Sequence, residues 1–81
     1  MTATYIPKGV CARQIQLELD GDTIKSVKFV GGCNGNTQGV ASLCEGMKVD
    51  EVIRRLEGIR CGMKPTSCPD QLVQALKAAR A

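Results

Sequence analysis

The chain of 81 residues contains no histidine and no tryptophan, and Tyr5 and Phe29 are its only aromatic residues. Without histidine, the Ser-His-Asp and Cys-His forms of nucleophilic catalysis are absent from this chain. For the same reason, a metal site built from its side chains is expected to use thiolates alone. The scarcity of aromatic residues leaves a thin aliphatic core, which is typical of small domains that a metal ion or a second subunit stabilises.

The sequence also lacks a block of basic residues and a long apolar run. Eleven Lys and Arg against eight Asp and Glu give a net charge of +3, spread along the chain. With no basic stripe and no aromatic platform on which bases could stack, we expect no nucleic-acid partner. Because the apolar runs are short and the N-terminal segment has neither a charged nor an apolar signal region, we expect no membrane span and a cytoplasmic location.

Hydrophobic periodicity predicts strands in the N-terminal third of the chain. Residues 15–19 alternate between apolar and polar with a period of two. After a turn signal at 20–22, a second strand is expected over 24–30, in which Val27 and Phe29 alternate with Ser26 and Lys28. A short additional strand is expected over 4–6. These segments predict an antiparallel β-hairpin or a three-stranded meander.

The predicted hairpin brings two cysteines close together. Residues that are directly opposite in an antiparallel pair share a face of the sheet. The registers that put the apolar residues of both strands on one face place Cys11 opposite Gly31 or Cys33. We therefore expect the thiols of Cys11 and Cys33 at the same end of the hairpin.

The remainder of the chain predicts three helices. A helix capped by Asn36 or Thr37 is expected to extend to about residue 45, with Leu43 and Cys44 on one apolar face. A second helix, capped by Asp50, is expected to extend to residue 56, with Gly58 as its C′ residue. The third helix is expected to begin with Cys68 as its N-cap, because a proline follows in its first turn. Strands followed by helices predict an α+β fold.

The cysteines suggest a thiolate site. Cys33 follows a strand and Cys68 opens a helix, where the helix dipole favours negative charge; the plainer alternative is that Cys33 fills a turn and Cys68 only caps. We expect Cys11, Cys33, Cys61 and Cys68 to bind a metal, with zinc as the expected ion and an iron–sulfur cluster or a redox-active dithiol as the alternatives. Cys44 lies on the apolar face of the first predicted helix and is expected in the core.

Two further features have both a structural and a functional interpretation. The glycine-rich segment 31–36 matches neither a dinucleotide fingerprint nor a P-loop, so a tight turn is favoured over an anion-binding nest. Arg60 and Lys64 flank Cys61 in the sequence. They either favour its thiolate or are simply solvated, and the sequence leaves both interpretations open.

Four short motifs resemble the TSCPD-domain family, in particular its small stand-alone members with four cysteines. They are KGVC at 8–11, GGCNGN at 31–36, GIRCG at 58–62 and TSCPD at 66–70. The resemblance covers nearly the whole chain and implies a single TSCPD-like domain over 1–81. It also implies that the four expected metal ligands are the cysteines of the family, with Cys44 outside the pattern.

The resemblance further implies a functional context. In that family the domain also occurs at the C-terminal end of adenosylcobalamin-dependent ribonucleotide reductases. An accessory or binding module is therefore expected, with a homodimer, a reductase or another protein as partner. An 81-residue chain is too short for the barrel and nucleotide sites of a complete reductase, so it is not a complete enzyme by itself. A fainter similarity is to the fold of NifU-like iron–sulfur scaffold proteins.

Overall fold

A three-stranded antiparallel sheet followed by three helices forms the fold of the computed structural model, which describes residues 1–10, 12–31, 34–60 and 62–80. The predicted α+β class and the three-stranded form of the sheet are confirmed, whereas the NifU-like comparison stays a prediction. The elements in chain order are β1 (Thr2–Tyr5), β2 (Ala12–Asp20), β3 (Thr23–Gly31), α1 (Asn34–Cys44), α2 (Val49–Leu56) and α3 (Cys68–Arg80).

The sheet is a meander in the order β1-β2-β3, and its central register is one of the two predicted. Ile15 pairs with Phe29 and Leu17 pairs with Val27. Since directly opposite residues share a face, this register places the apolar residues of both strands on the same side. The three helices cover that side and form the core with it.

Irregularities at both ends of the β2–β3 pair shift the register by one residue. At one end Ala12 pairs with Gly31, so the expectation that Cys11 lies opposite Gly31 is wrong. Ala12 and Ile15 are both buried, although their odd spacing would put them on opposite faces of a regular strand. Ile24 and Val27 repeat this pattern at the other end. The position of Cys11 relative to Cys33 lies outside the described residues.

The core lies between the sheet and the helices, and α3 contacts α1, α2, β1 and β2. Small aliphatic side chains fill it, as the composition predicts. The largest side chains with less than 2% exposure are Ile15, Ile24, Val49, Val52, Leu72, Val73 and Leu76. No helix in the described part of the chain is long and apolar enough to cross a membrane.

Helix α1 buries a narrower face than its sequence predicts. Thr37, Ala41 and Cys44 are buried, but Leu43, which we expected on the same apolar face as Cys44, is 77% exposed. The core position of Cys44 is confirmed, and burial raises the pKa of its thiol. Cys44 therefore behaves as a small apolar residue.

Helix α2 begins two residues earlier than predicted. Lys48 is its N-cap residue and makes no side-chain capping hydrogen bond, whereas Asp50 lies in the first turn. Gly58 follows the C-cap residue Glu57 and has a φ of 85°. This left-handed conformation is the one that favours glycine after a helix, as expected.

The two ends of the sheet have different surroundings. One end contains Tyr5 of β1, Ala12 of β2 and Gly31 of β3, and the start of α3 lies against the β1–β2 connection there; we call it the thiol end. The opposite end contains the Asp20–Thr23 turn, and we call it the hairpin end.

Candidate functional site

Cys68 is the first residue of α3, and Ser67 is the residue that caps this helix. The Ser67 Oγ accepts a hydrogen bond of 3.2 Å from the backbone N–H of Asp70, and the Ser67 carbonyl accepts one of 2.8 Å from the N–H of Gln71. The prediction that Cys68 is the N-cap is therefore wrong, because serine is among the preferred capping residues. The Cys68 thiol is half-buried and is not in a disulfide, so it remains available as a ligand.

Asp70 links the start of α3 to the end of α2. Its side chain is buried, with 9% exposure. One carboxylate oxygen accepts a hydrogen bond of 2.8 Å from the N–H of Gly58, and the other accepts one of 2.5 Å from the hydroxyl of Thr66. Hydrogen bonds to a charged acceptor are strong, and the positive end of the helix dipole favours a carboxylate in the first turn. Asp70 therefore has a structural task that its place in the motif does not reveal.

Two more side chains extend this arrangement. The Ser67 hydroxyl donates to the carbonyl of Ile59 at 2.6 Å. The Gln71 amide accepts a hydrogen bond of 3.0 Å from the N–H of Lys8 and donates one of 3.0 Å to Thr66 Oγ1. We call Thr66, Ser67, Asp70 and Gln71 the polar cluster. It connects three separate stretches of backbone at the thiol end.

Close packing supports the same connection. Gly9 has a φ of 73°, and a Cβ atom added there would lie 3.4 Å from the Cγ2 atom of Thr66. A larger residue would be strained by the backbone conformation and crowded by Thr66. The glycine of the first motif therefore allows the 8–10 segment to approach the start of α3.

The polar cluster and the sheet bring segments of all four sequence motifs to the thiol end. Lys8 belongs to the first motif, Gly58 and Ile59 to the third, and the cluster itself to the fourth. Gly31, paired with Ala12, opens the second motif. Of the four predicted ligands the structure places Cys68 only. Cys11, Cys33 and Cys61 lie outside the described residues, and the metal site they form with Cys68 stays a prediction.

Sequence reasoning missed the polar cluster, although one signal was present. A serine followed three residues later by an acidic residue, as in Ser67 and Asp70, resembles the capping box that opens many helices. Gln71 gave no comparable signal, because a polar residue in the first turn of a helix is usually solvated. Only the packing of α3 against the β1–β2 connection makes its burial necessary.

An apolar groove of about 490 Å³ lies away from the polar cluster, between α1 and α2. Val40, Leu43, Met47 and Leu56 are among its walls, together with Arg55. The exposure of Leu43 arises here. The groove contains none of the four motif segments and is separate from the candidate metal site.

Comparison with known proteins identifies one family. The family model described as TSCPD domain matches residues 1–80, which includes all four motif segments and the whole polar cluster. Neither the search of curated proteins nor the search of solved structures found a match.

Proposed function

Because the chain belongs to the TSCPD domain family, we propose that it is a small cysteine-rich metal-binding module. Cys11, Cys33, Cys61 and Cys68 are the proposed ligands of one structural zinc ion. Four thiolates are a common donor set for structural zinc, which takes them in a tetrahedral arrangement. The ion would link the thiol end of the sheet to the start of α3.

The observation that supports this proposal most strongly is the meeting of chain segments at the thiol end. Each proposed ligand is within two residues, along the chain, of a residue located there. Cys11 precedes Ala12, Cys33 follows Gly31 by two positions, Cys61 follows Ile59 by two positions, and Cys68 follows Ser67. Such short connections limit how far apart the four thiols can lie.

The chemistry of the donor set agrees with zinc. The chain has no histidine to share the site, and Cys68 at the first position of α3 lies where the helix dipole favours a negatively charged ligand. The aliphatic core is small, and in small domains a structural metal contributes directly to folding. A zinc ion at the thiol end would add cross-links where loops rather than regular structure meet.

We propose further that the module acts through a partner protein. The occurrence of related domains at the C-terminal end of adenosylcobalamin-dependent ribonucleotide reductases supports an accessory role. Co-purification of the tagged module with a reductase subunit tests this role. The role would be contradicted if the reductase subunit did not bind the module and if adding the module did not change the reductase activity.

Metal analysis of untagged protein purified without oxygen tests the zinc site. We expect one zinc ion per chain and no visible absorption. Iron with visible charge-transfer bands would overturn zinc in favour of an iron–sulfur cluster. Metal-free protein with five titratable thiols would overturn the metal site and leave thiol redox chemistry.

Two serine variants separate metal binding from packing. Cys68→Ser should lose zinc, because a hydroxyl replaces a thiolate ligand. Cys44→Ser is the matched control: it should keep its zinc but lose stability by about 1–3 kcal/mol, since it buries a hydroxyl in an apolar site. A Cys68→Ser protein that retains one tightly bound zinc ion would contradict the proposed ligand set.

A further inference from the structure

The exposed charge at the thiol end is positive. Lys8, Arg13, Arg60 and Lys64 are all exposed, and none of them takes part in an ion pair with another described residue. The closest carboxylates along the chain are those of Glu57 and Asp70 for Arg60 and Lys64, and that of Glu18, which pairs with Lys25, for Lys8 and Arg13. Asp70 is buried and accepts two hydrogen bonds, and Glu57 pairs with Lys77. These four cations are therefore not neutralised locally.

The remaining basic residues are in a different situation. Apart from Lys28 on the open face of the sheet, each of them is paired with a carboxylate of the described chain. The pairs are Lys25–Glu18, Lys48–Asp22, Arg54–Glu51, Arg55–Glu51, Lys77–Glu57 and Arg80–Asp50. The net charge of +3 is thus concentrated at one end of the molecule.

The backbone is held in place at or next to Lys8, Arg13 and Arg60, and Lys64 lies close to the polar cluster in the sequence. The N–H of Lys8 is bonded to Gln71, Arg60 follows the residue whose carbonyl accepts the Ser67 hydroxyl, and Lys64 precedes the polar cluster by two positions. The Nε atom of Arg13 lies 3.3 Å from the position of a Cβ atom at Gly31. The positive charges therefore form a defined surface rather than a flexible tail.

Exposed apolar side chains lie next to these cations in the sequence. Ile6, Ile59 and Met63 are among the few large apolar residues that are exposed, and Met63 is fully so. Each is within two positions of Lys8, Arg60 or Lys64. A surface that mixes unpaired cations with aliphatic side chains complements a segment that carries both carboxylates and apolar residues. Tyr5, the aromatic residue at the β1 end of this region, is partly buried against the core, so the surface has no exposed aromatic platform of the kind that binds single-stranded nucleic acid.

We infer that the thiol end binds an acidic, apolar-containing segment of a partner protein. The carboxylates of that segment meet Lys8, Arg13, Arg60 and Lys64, and its apolar side chains meet Ile59 and Met63. A second copy of the chain is a poor complement. Among the described residues, its exposed carboxylates outside ion pairs are Asp20 and Glu45. The inference rests on the accessory half of the proposed function. A zinc ion held by four thiolates would carry a net negative charge, which would reduce the positive charge of this end without cancelling that of the four cations.

Fluorescence anisotropy with a labelled synthetic peptide of alternating glutamate and leucine tests the inference. We expect binding that weakens as the ionic strength rises from about 0.01 M to about 0.15 M, because the Debye length shortens from ~30 Å to ~8 Å. The double variant Arg60→Glu/Lys64→Glu should bind about tenfold more weakly, or 1.4 kcal/mol. The matched control is Lys25→Glu/Lys28→Glu, which changes the net charge equally but away from the thiol end, and should bind as the unmodified protein does.

Four results would overturn the inference. An equal loss in the control variant would mean that only net charge matters. If a peptide of glutamate alone bound as tightly as the glutamate–leucine peptide, the apolar side chains would not contribute to binding. If a single-stranded oligonucleotide bound more tightly than the peptide, the partner would be a nucleic acid. Zinc content is measured on the same samples. If Arg60→Glu/Lys64→Glu loses zinc, the variant Lys8→Glu/Arg13→Glu, with its changes on other segments, replaces it and must show the same loss of peptide binding. Unchanged peptide binding by Lys8→Glu/Arg13→Glu would also overturn the inference.

Discussion

The hairpin end and the thiol end of the sheet are held together by different interactions. At the hairpin end, hydrogen bonds between backbone groups extend the β3 edge. The N–H of Ile24 donates to the carbonyl of Met47, Gly46 donates to Ile24, and Val49 donates to Asp22, each at 2.8 Å. At the thiol end, the side chains of the polar cluster bind the backbone of Lys8, Gly58 and Ile59.

This difference determines how strongly each end depends on particular residues. A backbone hydrogen bond can form with almost any side chain, so the hairpin end can vary in sequence and still pair. A hydrogen bond to a buried carboxylate or amide oxygen requires that one side chain, and its loss removes the acceptor of a partly buried N–H group. Thr66, Ser67 and Asp70 of the TSCPD motif are therefore required for the hydrogen bonds at the thiol end. The hairpin end depends on no comparable set of side chains.

The test with the largest expected effect on stability replaces one aspartate near each end of the sheet. Asp70→Ala removes two hydrogen bonds to a buried carboxylate, from Gly58 and Thr66, so the free energy of unfolding should fall by about 3 kcal/mol. Asp50→Ala removes an exposed ion pair with Arg80, which should cost less than about 1 kcal/mol. Urea unfolding followed by circular dichroism measures both.

The two aspartate variants are compared with and without added zinc. If zinc binds at the thiol end, it should raise the stability of Asp50→Ala and of the unmodified protein equally, and that of Asp70→Ala less, because this substitution loosens the start of α3 where Cys68 lies. Equal destabilisation by the two substitutions would show that the ends do not differ as described.

A second test compares two glutamines of α3. Gln71 is 8% exposed and binds both Lys8 and Thr66, whereas Gln74 is only partly buried. Gln71→Met should reduce the free energy of unfolding by about 1–2 kcal/mol, because the N–H of Lys8 loses its acceptor. Gln74→Met is the control and should change it by less than about 0.5 kcal/mol. Hydrogen exchange at Lys8 provides a local measurement: it should accelerate in Gln71→Met alone, and protection equal in both variants would refute the link.

Much of the fold could be predicted from the sequence because the periodic patterns are local. The alternation around Ile15 and Leu17 indicates both strands and the central register, and glycine at position 58 marks the end of α2. The bulges at the ends of the β2–β3 pair could not be predicted, since they are set by how the sheet curves under the helices. They change which residue lies opposite Gly31.

The candidate site was predicted less completely, for a related reason. The cysteines predict a thiolate site, but they do not indicate the roles of the polar residues next to Cys68. The capping role predicted for Cys68 belongs to its neighbour Ser67. Ser67 caps the helix, and Asp70 and Gln71 bind segments distant in the chain. Such contacts depend on tertiary packing, and no local pattern contains them. Leu43 fails as a predicted core residue because α1 meets the sheet through Ala41 and Cys44.

The smallest expected effect concerns the exposed charges of α2, near the hairpin end. Arg54 and Arg55 bind the Glu51 carboxylate at 2.6 and 2.7 Å and lower its pKa from 4.5 to about 2. A carboxyl group whose pKa is lower in the folded state stabilises that state above its ordinary pKa, and the contribution disappears as the pH falls to about 2. Glu51→Gln should therefore be slightly less stable than the unmodified protein at neutral pH and equally stable near pH 2. High salt should also reduce the difference, since the pair is exposed. Urea unfolding at both pH values measures this difference in stability. The control is Glu45→Gln, which removes an exposed carboxylate that forms no ion pair with the described residues. A difference that persists in acid would mean that Glu51 stabilises α2 through contacts other than its charge.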